Sequence, residues 1–202
     1  MKLGVLASGA GTNLQAILDT VHGRDGIELT GVASNQAGAP ALERARGAGI
    51  ETAVFTADDH PDRAARDAAV AGWLAERGVE LVVLAGYMQL LGGAFLARFP
   101  DRVINVHPAL LPAFPGLDPI GEALAYGVKV FGVTVHFVDE GVDTGPIILQ
   151  RAVELPAATE PDEVHVALRP LEHDLLCEAV RLIARDAVRI DPSQRRRVLV
   201  AQ

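Results

Sequence analysis

Asn105-Val106-His107-Pro108-Ala109-Leu110-Leu111-Pro112 sets an amide and an imidazole two residues apart. Downstream, Asp139-Glu140-Gly141-Val142-Asp143-Thr144-Gly145-Pro146 holds a carboxylate in an acidic, glycine-containing turn. Residues i and i+2 of an extended segment share a face, so Asn105 and His107 are expected to point the same way. Proline then ends the segment. An amide that donates to a developing oxyanion, an imidazole that carries a proton, and a carboxylate that sets the imidazole's orientation and charge are the parts acyl-group transfer needs.

Each residue also has a plainer use. Asn105 can satisfy backbone groups at a strand end, His107 can be a hydrogen-bonded core histidine, and Asp143 can organise its own turn. Position favours chemistry, because all three fall on ends and loops of an expected parallel sheet, where α/β ligands sit outside the carboxyl ends of strands. Alternation puts Thr134 and His136 on one face, so His136 either lines the same cleft or packs within it. A metal set of His107, His136 and Asp143 ranks lower, since the sequence has no tight His-x-x-x-His or cysteine cluster. His22, His60 and His165 fall in surface-like contexts.

The elements that must position these groups alternate between apolar β-type runs and helical patterns. Strands are expected at Leu3–Ala7, Leu29–Ala33, Thr52–Phe55 and Leu81–Ala85. Helices are expected at Asn13–Val21, at Ala39–Ala48 closed by Gly49, and at Asp62–Arg77 ending at Gly78. Further strands at Val103–Val106 and Val130–Val138 flank a helix at Ile120–Tyr126, and Pro146–Val153 adds another strand. A long closing helix covers Asp162–Ala187, with Pro170 expected to kink or divide it. Near-continuous apolar strands joined by helices imply a three-layer, doubly wound, mostly parallel α/β sheet with a Rossmann-like N-terminal half. The expectation is one domain over 1–202, with a phosphate-binding half to about residue 100, a catalytic half to about 190 and a short tail.

Ser8-Gly9-Ala10-Gly11-Thr12-Asn13 joins the first strand to the first helix, where exposed N–H groups at a helix start suit an anion such as phosphate. It is not a Walker loop, because no Gly-Lys-Ser/Thr follows. Leu14 stands where a dinucleotide fingerprint needs its third glycine, and the second strand ends in Ser34-Asn35 instead of a ribose-binding acid. Nicotinamide binding is disfavoured, while a tight turn without a ligand remains an alternative.

Composition narrows the partners. Half of the 202 residues are hydrophobic, and 26 acidic against 18 basic residues give a net charge of −8. That balance, with no basic stripe interleaved with aromatics, argues against nucleic acid. Arg195-Arg196-Arg197 reads as a solvated tail. No apolar run approaches the roughly 20 residues of a membrane span, and the first residues are too short in apolar length for a signal peptide. Cys177, the single cysteine, reads as a small core residue. A soluble cytoplasmic protein without a membrane partner is expected.

Taken together, Asn105-x-His107-Pro-x-Leu-Leu-Pro112, Gly132-Val-Thr-Val-His136-Phe-Val and Asp143-Thr-Gly145-Pro resemble the folate-dependent formyltransferases. Ser8-Gly9-x-Gly11-Thr12-Asn13 narrows the resemblance to the members that act on glycinamide ribonucleotide in purine biosynthesis. It covers nearly the whole chain, to about Ala187. It implies transfer of a formyl group from 10-formyltetrahydrofolate, as cosubstrate and without a metal, to the amino group of glycinamide ribonucleotide.

By matching positions, the resemblance makes Asn105, His107 and Asp143 catalytic. It gives Gly11, Thr12, Asn13, Arg169 and Glu172 to the ribonucleotide. Folate falls to Arg63, Met88, Gln89, Leu90, Leu91, Asn105 and the 139–143 loop of Asp139, Glu140, Gly141, Val142 and Asp143. The chain departs from the family pattern at Asp118, commonly histidine; at Gln89, usually arginine; and at Pro170, just before the Glu172-His173 pair. The alternatives are a 10-formyltetrahydrofolate hydrolase, whose relatives carry an added N-terminal domain, and a non-catalytic folate-binding protein. Methionyl-tRNA formyltransferases carry a C-terminal nucleic-acid-binding domain for which this chain is too short. A monomer or a homodimer fits equally.

Overall fold

The computed structural model describes residues 1–201. In chain order its elements are β1 (Lys2–Leu6), α1 (Thr12–Thr20), β2 (Glu28–Ser34), α2 (Pro40–Gly47), β3 (Thr52–Val54), α3 (Arg63–Glu76), β4 (Leu81–Leu84) and α4 (Gly93–Arg98). They continue as β5 (Val103–His107), α5 (Pro119–Tyr126), β6 (Val130–Phe137), β7 (Ile147–Glu154), α6 (Pro161–Ala184), β8 (Val188–Ile190) and β9 (Val198–Val200). Seven strands form a sheet in the order β3-β2-β1-β4-β5-β6-β7, and β8 and β9 form a separate hairpin. The chain divides into two compact units, Met1–Asn105 and Val106–Gln202.

In the first unit every strand pairing is parallel: β1 with β2 and β4, β2 with β3, and β4 with β5. Parallel strands need helical crossovers, which leave little sheet surface for water. Leu3, Val5, Leu6, Val32, Leu81 and Val83 are accordingly inaccessible to solvent. Chain order reverses direction between β1 and β4, the point at which doubly wound sheets open a crevice. Asp62 stands just before α3 and accepts from the Ala65 N–H at 2.8 Å, a cap worth about 1 kcal/mol.

In the second unit β6 and β7 pair antiparallel, with a register shift between Val135 and His136. A bulge re-aims the side chain beside it, and here that side chain is the almost fully buried His136. Thr134 donates to the Ala109 carbonyl at 2.6 Å and accepts from the Leu111 N–H at 3.1 Å. Gln150 on β7 bonds both Thr134 Oγ1 and the Leu111 carbonyl. Gly132 leaves the room for Leu110, whose side chain a Cβ there would strike. The segment after His107 is thus fastened to β6 and β7.

Three features differ from the sequence expectation. Pro170 does not divide α6, which runs unbroken from Pro161 to Ala184. Both Pro170 and Val166, whose carbonyl the missing N–H would have bonded, face solvent, so water can take the freed acceptor. The six-residue α4 was not expected. The residues around Arg195–Arg197 are exposed but not a formless tail, since they form the turn between β8 and β9.

Candidate active site

β5 carries Asn105, half-buried, and His107, buried, at alternate positions. The imidazole of His107 is held from two sides. Its Nε2 donates to the Phe114 carbonyl at 2.8 Å, and its Nδ1 lies 3.5 Å from Asp143 Oδ2. Phe114 has a φ of 53°, a left-handed conformation that costs a side-chain-bearing residue about 1–2 kcal/mol. That turn presents its carbonyl to His107. Two residues on, the Gly116 N–H donates to Asp143 Oδ2 at 2.9 Å, so one short segment orients both the base and the acid.

Asp143 is itself left-handed, with φ 51°, which aspartate tolerates better than most residues. Its other oxygen, Oδ1, lies 3.5 Å from His136 Nε2. His136 Nδ1 donates to the Phe137 carbonyl at 2.8 Å. The carboxylate therefore sits between two imidazoles, each tied to a backbone carbonyl through its far nitrogen. Each ring thus faces an acceptor from both of its nitrogens. Burial raises the Asp143 pKa, but the His136 hydrogen bond, the Gly116 N–H and the charges of His107 and His136 outweigh it and leave it lowered. The group is held as a carboxylate by its neighbours.

The rest of the 139–146 loop locks Asp143 in place. Asp139 Oδ1 accepts from the Gly141 N–H at 3.1 Å and from Thr144 Oγ1 at 2.6 Å. Gly145 packs on the Phe137 carbonyl so closely that a Cβ would overlap it. Arg196, in the β8–β9 turn, donates to the Thr144 carbonyl at 3.1 Å. Asp139, Glu140, Gly141 and Val142 are exposed.

In the first unit, Gly11 precedes α1 with φ 71°, and a Cβ there would lie 2.8 Å from the Ala41 backbone. Only glycine permits both the conformation and the approach. Thr12 and Asn13 open α1, where N–H groups lack intrahelical acceptors. Arg44 Nε donates to the Ala10 carbonyl at 2.8 Å, adding a cation beside the turn that sequence reasoning passed over. A cleft of about 520 Å³ opens at the switch point, lined by Ser8, Asn35, Pro40, Met88 and Gln89.

Met88 and Leu90 are 60% and 55% exposed, whereas Leu91 is buried. The Met88 N–H donates to Ser8 Oγ at 2.9 Å. Arg63 is the exposed first residue of α3; Arg66, one turn further on, meets Gln89. On α6, Arg169 is exposed and Glu172 half-buried. Asp118 has a local role, capping α5 by accepting from the Gly121 N–H at 3.1 Å. Among the described residues no group of three or more His, Cys, Asp or Glu is arranged to hold a metal ion. No described helix is long and apolar enough to cross a membrane.

Fold and site together define a doubly wound α/β protein with a carboxylate-centred pair of imidazoles. A family profile described as formyl transferase matches residues 1–180, and the chain belongs to that family. It is 41% identical over 189 residues to a phosphoribosylglycinamide formyltransferase of Mycobacterium tuberculosis, covering 94% of this chain and 87% of the relative. A Bacillus subtilis protein of the same name is 39% identical over 173 residues, covering 85% and 89%. Among solved structures, glycinamide ribonucleotide transformylase 1 from Symbiobacterium toebii is 47% identical, with a TM-score of 0.95 over 100% of this chain and 94% of that one.

Proposed function

We propose that the protein transfers the formyl group of 10-formyltetrahydrofolate to the amino group of glycinamide ribonucleotide, a step of purine synthesis. The observation that carries this reading is the Asp143 carboxylate held between His107 and His136, each at 3.5 Å. The ribonucleotide amine attacks the formyl carbon, and the carbonyl oxygen takes the negative charge. Asn105 and the Nδ1–H edge of His107 donate to that oxyanion, an interaction that strengthens in the transition state. The Phe114 carbonyl occupies Nε2, so Nδ1 is the edge with slack, as apo geometry at a catalytic hydrogen bond commonly has. Asp143 orients the imidazole and relays the proton from the attacking nitrogen to the departing folate nitrogen. The attack forms the new C–N bond; collapse of the oxyanion then breaks the bond to the protonated folate nitrogen, with no covalent enzyme intermediate.

Gly11, Thr12 and Asn13, with Arg169 and Glu172, bind the ribonucleotide in this reading. Met88, Gln89, Leu90 and Leu91, with Arg63, Asn105 and the 139–143 loop, bind the folate. Exposed Met88 and Leu90 offer apolar surface that a flat aromatic ligand would cover. The test is turnover of 10-formyltetrahydrofolate by purified protein with and without glycinamide ribonucleotide. Folate release only when the ribonucleotide is present is expected. Ribonucleotide-independent release would instead indicate hydrolysis, and binding without release a folate carrier; either result overturns the proposal.

A further inference from the structure

Arg66 and Asp67 on α3 are 4% and 2% exposed and form an ion pair at 3.0 Å. Adjacent residues on a helix diverge by about 100° and do not face each other. Their charged heads meet because both converge on one target, the loop after β4. Arg66 Nη1 donates to Gln89 Oε1 at 2.8 Å, and Asp67 Oδ2 accepts from the Gly92 N–H at 2.8 Å. Gly92 caps α4 without a side chain of its own, so Asp67 serves as its cap from another helix. Arg66 Nε is buried without a hydrogen-bond partner. A buried pair with an unmet donor is a poor stabilising device, because desolvation offsets the Coulombic gain. Burial raises the pKa of Tyr87, with Arg66 lowering and Asp67 raising it, which places both charges close to the start of the same loop.

We propose that Arg66 and Asp67 are a paired positioning device for residues 88–92, in which Arg66 acts through the Gln89 side chain and Asp67 through the Gly92 N–H. The two tethers bracket Leu90 and Leu91 and hold exposed Met88 and Leu90 in a fixed presentation. This inference rests on the folate-binding role given to the loop above. Because both tethers end on the loop and not on a substrate, their loss alters binding before chemistry.

The test is a double-mutant cycle of Arg66→Met, Gln89→Ala and the double variant, with steady-state kinetics and amide hydrogen exchange. Arg66→Met raises the KM for 10-formyltetrahydrofolate by about tenfold with kcat within about twofold, as expected for loss of a charged hydrogen bond. In amide exchange the double variant is no worse than Arg66→Met, since both break one link. Exchange at residues 89–92 accelerates while the buried turns of α3 stay protected. Arg66→Lys, which keeps the charge but not the planar fork, lies between. If Arg66→Met does not fold, Gln89→Ala alone cuts the link, leaves the ion pair intact and must reproduce the faster exchange at residues 90–92, a readout that loss of a direct Gln89–folate contact does not move. Unchanged KM and exchange, or additive effects, overturn the proposal. If the wild type lacks ribonucleotide-dependent transfer, the proposed function falls, and the exchange data alone still decide the tether.

Discussion

Two backbone carbonyls, of Phe114 and Phe137, fix how His107 and His136 meet Asp143. Each takes one ring nitrogen and turns the other toward the carboxylate, whose charge both rings then face. Asp143→Asn tests this at the scale of one residue. Asparagine tolerates the left-handed backbone and keeps the side-chain shape, so the charge and one of the two acceptor oxygens are what is lost. The expected outcome is a fall in kcat of about 10²-fold or more with little change in the far-UV spectrum. That Asp143 would lie beside His107 was legible from residue type and spacing. Phe114 was not, because its contribution is a carbonyl set by a left-handed turn that phenylalanine does not announce. Arg66 was hidden for a different reason: the helical pattern of α3 gives no sign that a charged residue points inward.

The elements place those residues by means of a few buried polar contacts. Thr134, inaccessible on β6, bonds to both Ala109 and Leu111, and so fixes the chain immediately after His107. Thr134→Val keeps the volume but strands a buried N–H and a buried carbonyl. The expected loss is about 1–3 kcal/mol, measurable as a shift in urea midpoint, with a lower kcat because the His107 segment loosens. The long apolar strands and the caps at Asp62 and after Arg77 could be read from the sequence, since continuous β-branched runs and helix end signals are local. The six-residue α4 could not. It begins with Gly92-Gly93, and its cap comes from Asp67, 25 positions earlier. The β8–β9 hairpin escaped for a similar reason: three-residue strands and an Arg195–Arg197 turn look like a solvated end until Arg196 is seen on the Thr144 carbonyl.

At the scale of the whole molecule, the lowered pKa of Asp143 becomes a stability statement. A carboxylate whose folded pKa lies below its unfolded value contributes stability above the unfolded value, about 3.9 for aspartate. That contribution disappears as pH falls through the folded value. Wild type should therefore exceed Asp143→Asn in Tm near neutrality, and the gap should close as the acid limb is entered below about pH 4. Calorimetry across that range checks it; a gap that stays constant or widens in acid would show that the carboxylate is not held charged by its neighbours. The alternating architecture was legible at this scale because parallel strands advertise themselves as apolar runs. The division near Asn105 was less so, since it falls inside β5 with no change in composition.

The central claim is that the formyl carbon passes directly to the ribonucleotide nitrogen at His107 and Asp143. Carbon-13 in the formyl group of 10-formyltetrahydrofolate, followed by NMR with glycinamide ribonucleotide present, tests it most directly. The label is expected as a formamide on the ribonucleotide with wild type and is expected not to move with His107→Ala or Asp143→Ala. Label that accumulates as free formate, or transfer at the wild-type rate in either variant, would contradict it.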